Sequence, residues 1–266
     1  MIDDHRPGPA APVSAAMAPD TESMFARFAG AAAVDLQLLC FPYAGGGAQI
    51  FRQWQSRVRP GVGVTGIRLP GREQRFREPI LETWPEALAD LLAAVVPETE
   101  RGPYAFFGHS LGARLVYELT HRLAAGGHRL PEALIVSGCR APGVVNHLPA
   151  MHLMDGPELV ERLREMNGVP EEVLASPMFK ALFEPVLRGD LRLAETWEAS
   201  LGRVDVPILA LCGERDEIDP YDDMVGWKEH TTRGFAIRSF PAGHFFPWKH
   251  EQAVVSAVNA GLAGQG

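Results

Sequence analysis

Ser110 sits in the run Gly108-His109-Ser110-Leu111-Gly112, a G-x-S-x-G pattern that lifts a serine hydroxyl out of a tight strand-to-helix turn. Such a turn needs a strand before it and a helix after it. Tyr104-Ala105-Phe106-Phe107 precedes the pattern, and Ala113 to Ala124 follows with helical spacing and stops at Gly126-Gly127. A serine hydroxyl is a poor nucleophile near neutrality, so the chemistry also requires a base beside it and an acid to orient that base. His244 ends the run Pro241-Ala242-Gly243-His244, and Asp216 ends Cys212-Gly213-Glu214-Arg215-Asp216. Each run follows a strand candidate, which makes His244 the candidate general base and Asp216 the candidate orienting acid.

Both assignments have rivals. Glu214 and Glu217 lie too near Asp216 for spacing to separate them. Asp219 precedes Pro220, a position where an aspartate caps the N–H groups of a following helix, and capping is the role read for it here. His109 adjoins the serine and should point elsewhere, while His230 and His250 lie in stretches read as helical and are assigned to packing or surface. An oxyanion hole needs two N–H donors aimed at the developing charge. Leu111, next after the nucleophile, supplies one. Ala44 is nominated for the other, in the glycine-rich loop Phe41-Pro42-Tyr43-Ala44-Gly45-Gly46-Gly47. That loop lacks the G-K-[ST] ending of a phosphate-binding loop.

These residues must be held by elements, and the elements read as an α/β alternation. Strand candidates are Leu36–Phe41, Val62–Leu69, Tyr104–Phe107, Ala133–Ser137, Val206–Cys212 and Phe235–Phe240, each bounded by Gly or Pro. A helix starts near Trp84, with Thr83 as N-cap and Glu86 three residues later, and carries Leu88, Leu91, Leu92 and Val95 on one face. From about 143 to 201 the alternation gives way to helices alone, with Asp155 and Ser176 as N-caps and Pro170, Pro177 and Pro185 as breaks. The expected architecture is therefore a mostly parallel central sheet flanked by helices, with a helical lid inserted over one end. Residues 1–20, rich in Ala and Pro and without periodicity, are read as a disordered tail, and 21–266 as a single domain.

Composition limits the function further. The chain of 266 residues is 46% hydrophobic, enough for a sizeable core, and carries a formal charge of −8, which opposes affinity for nucleic acid or anionic membranes. The three cysteines, Cys40, Cys139 and Cys212, are widely spaced. They suggest neither a disulfide framework nor a metal knuckle, and a cytoplasmic setting is expected. The N-terminus lacks a basic n-region, so no secretory signal is expected, and no apolar run has the length of a membrane span.

Taken together, the motifs resemble the type II thioesterases, free-standing α/β-hydrolases that accompany polyketide synthases and nonribosomal peptide synthetases. The resemblance rests on Cys40-Phe41-Pro42-Tyr43-Ala44-Gly45-Gly46, Leu69-Pro70-Gly71-Arg72-Glu73, Gly108-His109-Ser110-Leu111-Gly112-Ala113, Ser137-Gly138-Cys139-Arg140-Ala141-Pro142 and Gly243-His244-Phe245-Phe246, in family order. Two departures stand out: Cys139 stands where the family often has Arg, and Asp216 is followed by Glu217 where the family often has Asp-Pro. The second keeps Asp219 open as the acid. Thioesterase domains fused to a synthase commonly carry the acid just after the strand following the elbow helix. Here that position reads Ser137-Gly138-Cys139-Arg140, with no carboxylate, which favours hydrolytic editing over cyclisation.

The resemblance implies a serine hydrolase that cleaves acyl thioesters from the phosphopantetheine arm of acyl or peptidyl carrier proteins. No cofactor is implied, since the pantetheine belongs to the substrate, and no metal. Lid residues Met151, Met178 and Phe179, with Leu153, Leu159, Leu163, Met166 and Phe183, are candidates to line an acyl channel. The basic run Arg72, Arg75 and Arg77 is a candidate to meet the pantetheine phosphate or the carrier. An ordinary carboxylesterase and a non-catalytic hydrolase-fold binding protein remain as alternatives.

Overall fold

A computed structural model describes residues 21–29, 34–166, 168–200 and 202–263. The tail expected at 1–20 lies outside the described residues. In chain order the strands are β1 (Phe25–Arg27), β2 (Leu36–Phe41), β3 (Val62–Ile67), β4 (Tyr104–His109), β5 (Leu134–Ser137), β6 (Ile208–Gly213) and β7 (Phe235–Phe240). They form one sheet in the order β1-β3-β2-β4-β5-β6-β7, parallel throughout except for β1, which runs antiparallel to β3. The helices are α1 (Trp84–Thr99), α2 (Leu111–Ala125), α3 (Gly156–Met166), α4 (Glu171–Leu174), α5 (Glu184–Glu195), α6 (Tyr221–Val225), α7 (Phe246–Lys249) and α8 (Glu251–Ala263).

The inner strands are buried on both faces, which is why they read as apolar runs rather than as alternation. Side chains still alternate between two cores. Leu39, Phe41 and Phe106 pack with α1 and α2 on one side, while Leu38, Cys40 and Phe107 pack with α8 and the 3-10 segment Ala48–Ser56 on the other. On that second face Trp54 meets Phe107 edge-on at 4.7 Å between centroids. The register Cys40↔Phe107, Phe107↔Ile135 and Ile135↔Leu209 brings the carboxyl ends of β2, β4, β5 and β6 to one edge of the sheet. Ligands of open α/β sheets collect at that edge.

Most expected elements are found with small shifts. β3 stops at Ile67 instead of Leu69, because the chain turns at Gly71, whose φ is +81°. β4 runs two residues further than expected, carrying the chain straight into the elbow. Thr83 caps α1 and exchanges a side-chain hydrogen bond with Glu86, as the sequence suggests. Asp155 likewise accepts from the Glu158 N–H at the start of α3. The short antiparallel edge strand β1 was not anticipated; at three residues it carries too little pattern to be read.

Between β5 and β6 the described segments are helical or irregular, as expected. Met151, Leu159, Leu163, Leu174, Phe179, Leu187 and Leu191 form a small core of their own beside the sheet. A π-helical turn at Phe179–Phe183 leads into α5.

Candidate active site

The elbow is built from a strained serine between two glycines that have no room for a side chain. Ser110 has φ +55° and ψ −113°, a conformation that costs roughly 1–3 kcal/mol in a non-glycine residue. Its N–H is tied to the Ser137 carbonyl at 2.8 Å. A Cβ on Gly108 would fall 2.2 Å from the Gly112 oxygen, and one on Gly112 would fall 2.2 Å from the Phe41 oxygen. The G-x-S-x-G pattern is thus a packing requirement: β4, α2 and the end of β2 approach too closely at these positions for any Cβ.

His244 arrives on the loop after β7 and Asp216 on the loop after β6. His244 Nδ1 lies 2.8 Å from Asp216 Oδ2, and both residues are buried. The other carboxylate oxygen accepts the N–H groups of Ile218 at 2.9 Å and Asp219 at 3.0 Å, so Asp216 is locked in place by its own loop. Burial opposes charge on His244, but the Asp216 carboxylate, by its charge and its hydrogen bond, outweighs this and raises the imidazole above its ordinary value. Burial likewise works against the Asp216 carboxylate, and His244 and the two N–H groups hold it below its ordinary value. Donation from Nδ1 to Asp216 leaves Nε2 as the basic edge of His244. Ser110 and His244 line one cavity of about 300 Å³. Among the described residues no hydrogen bond yet joins them, an arrangement that typically tightens when substrate binds.

Glu214 and Glu217, the spacing rivals of Asp216, are exposed. Asp219 does not cap α6: the N-cap is Pro220 and no side chain caps that helix. Its Oδ1 instead accepts from Arg140 N–H at 3.0 Å and Arg140 Nε at 2.7 Å, in an ion pair buried at both ends. His109 packs, as expected, with Nδ1 2.9 Å from Ser137 Oγ and its ring 5.0 Å from that of His244. Burial, with the neighbouring His244 charge, pushes His109 well below the ordinary histidine value, so it stays neutral.

In the glycine-rich loop the N–H of Gly45 is bonded to Asp190 Oδ2 at 2.7 Å and that of Gly46 to the Tyr43 carbonyl at 2.8 Å. The Ala44 N–H makes no hydrogen bond among the described residues, and Leu111 is the first residue of α2, where N–H groups lack partners within the helix. Both nominated donors are therefore free.

Two of the three arginines expected to meet substrate are turned inward. Arg72 is bonded through both terminal nitrogens to Asp190, at 2.6 and 2.8 Å, and also to the Gly46 carbonyl at 3.0 Å. Arg75, 2% exposed, is enclosed by Glu78, Asp90 and the Arg68 carbonyl. These ion pairs satisfy charges expected to meet the pantetheine phosphate or the carrier. Arg77 alone of the three is exposed. Among the lid candidates, Met151, Leu163, Met166 and Phe183 line the cavity. Met178 is 63% exposed and Phe179 is packed within the insertion's core, so neither faces the cavity; Leu153 is also exposed and Leu159 is buried in that same core.

Asp190, which sequence reasoning missed, ties α5 of the insertion to the loop that carries Ala44. No local motif marks it, since its partners lie 118 and 145 residues away. Asp190→Asn leaves Arg72 without its counter-charge and loosens Gly45. The expected result is a fall in kcat of about 10- to 100-fold with a smaller change in KM, read by steady-state kinetics on one thioester. Equal kinetics would detach the α5 contact from the oxyanion loop. Among the described residues no group of three His, Cys, Asp or Glu side chains is arranged to hold a metal.

Comparison with known proteins places these features in company. The family description "Thioesterase domain" matches residues 36–262. Thioesterase PikA5 of Streptomyces venezuelae is 35% identical over 222 residues, covering 83% of this chain and 78% of that protein. Among solved structures, ClbQ from the colibactin NRPS/PKS pathway superimposes with a TM-score of 0.81 at 32% identity, covering 87% of this chain and 98% of that one. The type II thioesterase BorB from the borrelidin biosynthetic cluster gives a TM-score of 0.79 at 31% identity, covering 92% and 100%.

Proposed function

The chain belongs to the thioesterase-domain family of the α/β-hydrolase fold, and we propose that this thioesterase removes stalled or wrongly primed acyl groups from the phosphopantetheine arm of carrier proteins in polyketide or nonribosomal peptide synthesis. The observation that carries the reading is the combination of a strained serine at the sheet edge, a buried His244–Asp216 pair and two free N–H groups around one cavity. Likeness to a type II thioesterase and to a protein of a mixed synthetase pathway supports the editing role. So does the absence of a carboxylate at Ser137-Gly138-Cys139-Arg140.

In this mechanism Ser110 Oγ attacks the thioester carbonyl while His244 Nε2 takes its proton. The oxyanion rests on the N–H groups of Ala44 and Leu111, and His244 returns the proton to the departing pantetheine thiolate. Water, activated by His244, then attacks the acyl-serine; the acid leaves and Ser110 is reprotonated. Asp216 holds the imidazole in the required tautomer throughout. The reading calls for no dissociable cofactor, because the pantetheine enters with the substrate. The helical insertion acts as the lid, and Met151 with its neighbours contacts the acyl chain. Arg77 is left as the member of its basic run that meets the carrier's acidic face. The free, buried thiols of Cys40, Cys139 and Cys212 fit action in the reducing cytoplasm.

The test is a matched panel: one acyl group on carrier protein, on pantetheine and as an oxygen ester. The expected order of kcat/KM is carrier protein above pantetheine above oxygen ester. Preference for the oxygen ester would make the enzyme a carboxylesterase instead.

A further inference from the structure

Arg114 lies one helical turn beyond Ser110 on α2 and lines the same cavity. It is 7% exposed. The other buried arginines are paired: Arg68 with Glu73, Arg72 with Asp190, Arg75 with Glu78 and Asp90, Arg140 with Asp219. Arg114 has no such partner. Among the described residues its side chain forms no ion pair and donates no hydrogen bond, and its Nε is fully enclosed and unpartnered. Its guanidinium carbon stands over the face of Trp197, 5.6 Å from the ring centroid, and its charge acts on His244 and Cys139, neither of which is a counter-charge.

The carboxylates that could have served it are committed elsewhere. Glu118, one turn further along α2, accepts from Trp197 Nε1, the Ser200 N–H and Ser200 Oγ. Glu195 accepts from the N–H groups of Met151 and His152 and meets the His152 ring. Asp219, which also lines the cavity, pairs with Arg140 through Oδ1 and keeps Oδ2 unpartnered, forming no ion pair with Arg114, and Asp216 serves His244. A buried guanidinium without a counter-charge is costly, and an indole face offsets only part of that cost. The remainder is recovered when an anion enters the cavity, and the planar fork of arginine suits a carboxylate.

We infer that Arg114 receives the terminal carboxylate of a carboxyacyl thioester, so that this enzyme accepts acyl chains ending in a carboxylate as well as apolar ones. The inference rests on the thioesterase reading and narrows its substrate class. Ser110 is the N-cap of α2, its carbonyl oxygen lies 3.4 Å from the Arg114 N–H, and both residues line the one cavity. That proximity suits a short chain, its carbonyl at Ser110 and its far carboxylate at the guanidinium.

The experiment compares succinyl-pantetheine with 4-methylpentanoyl-pantetheine, which has the same branched end without the charge, in the wild type and in Arg114→Gln and Arg114→Lys. The ratio of kcat/KM, charged over neutral, should fall by about tenfold or more in Arg114→Gln and by less in Arg114→Lys. A smaller fall in Arg114→Gln overturns the inference. Should either variant fail to fold, wild-type inhibition decides: succinate should inhibit neutral-thioester hydrolysis at lower concentration than 4-methylpentanoate, and the reverse order overturns the inference. Hydrolysis of the neutral thioester without discrimination in its favour or against it by Arg114 leaves the thioesterase standing and removes only the carboxylate site. Failure of the wild type on both thioesters removes the thioesterase reading itself.

Discussion

Ser110→Ala lowers thioester hydrolysis by about four to six orders of magnitude in kcat, because it removes the only protein atom in the mechanism that bonds to the acyl carbon. Folding should be undisturbed. The strained φ of +55° is imposed by the elbow and is as unfavourable for alanine as for serine, so the melting temperature should stay close to that of the wild type. Ser110→Gly, which relieves the strain, should melt higher than either while remaining inactive. Steady-state kinetics and thermal melts of the three proteins check both halves. Retention of more than about a tenth of wild-type activity by Ser110→Ala is incompatible with an acyl-serine route.

Asp216→Asn should lower kcat by about 10⁴, the scale expected when the acid of a serine triad is neutralised and the histidine tautomer is lost. The pH profile supplies the mechanism. Neutral His244 is the working base, and its value is raised by Asp216, so wild-type activity is full above that raised value and falls as pH drops through it. The midpoint should therefore lie above the ordinary histidine value of about 6.5. In Asp216→Asn the larger raising charge and its hydrogen bond are gone while burial and the lesser raising charge of Asp219 remain, so the residual activity should persist to lower pH than in the wild type. Asp219→Ala should behave differently: it leaves Arg140 buried without its ion pair, a loss of about 3–5 kcal/mol of stability, with the base's tautomer intact. A midpoint that moves in Asp219→Ala and not in Asp216→Asn would transfer the orienting role.

The contrast between these two aspartates shows which parts of the site were legible in the sequence. Ser110 and His244 sit in short runs whose glycines and flanking strands are local signals, and Asp216 follows from its place at a strand end. Asp219 reads as a cap in the sequence because its only near neighbour with meaning is Pro220. Its true partner, Arg140, is 79 residues away and is brought in by the adjacency of β5 and β6. The same limit explains Arg75, whose charge is taken up by Asp90 on α1, and Arg72, taken up by Asp190 on α5. A run of arginines on a loop looks the same whether its counter-charges lie in solvent or in the next layer of the fold. In the insertion, Phe183 of the expected set lines the cavity beside Leu187 and Leu191 while Met178 and Phe179 do not, because the π-helical turn at Phe179–Phe183 breaks the helical period and apolar type alone does not mark the cavity-facing side. The sheet was easier, since its inner strands are continuous apolar runs bounded by Gly or Pro.

The account turns on Ser110 as the acylated residue, and a fluorophosphonate titration tests it most directly, with peptide mapping of the labelled protein and thioester hydrolysis assayed on the same samples. The predicted result is one adduct per chain, on the peptide holding Ser110, with activity lost in proportion to labelling and no labelling of Ser110→Ala. An adduct confined to another residue, or hydrolysis that survives complete labelling of Ser110, would contradict it.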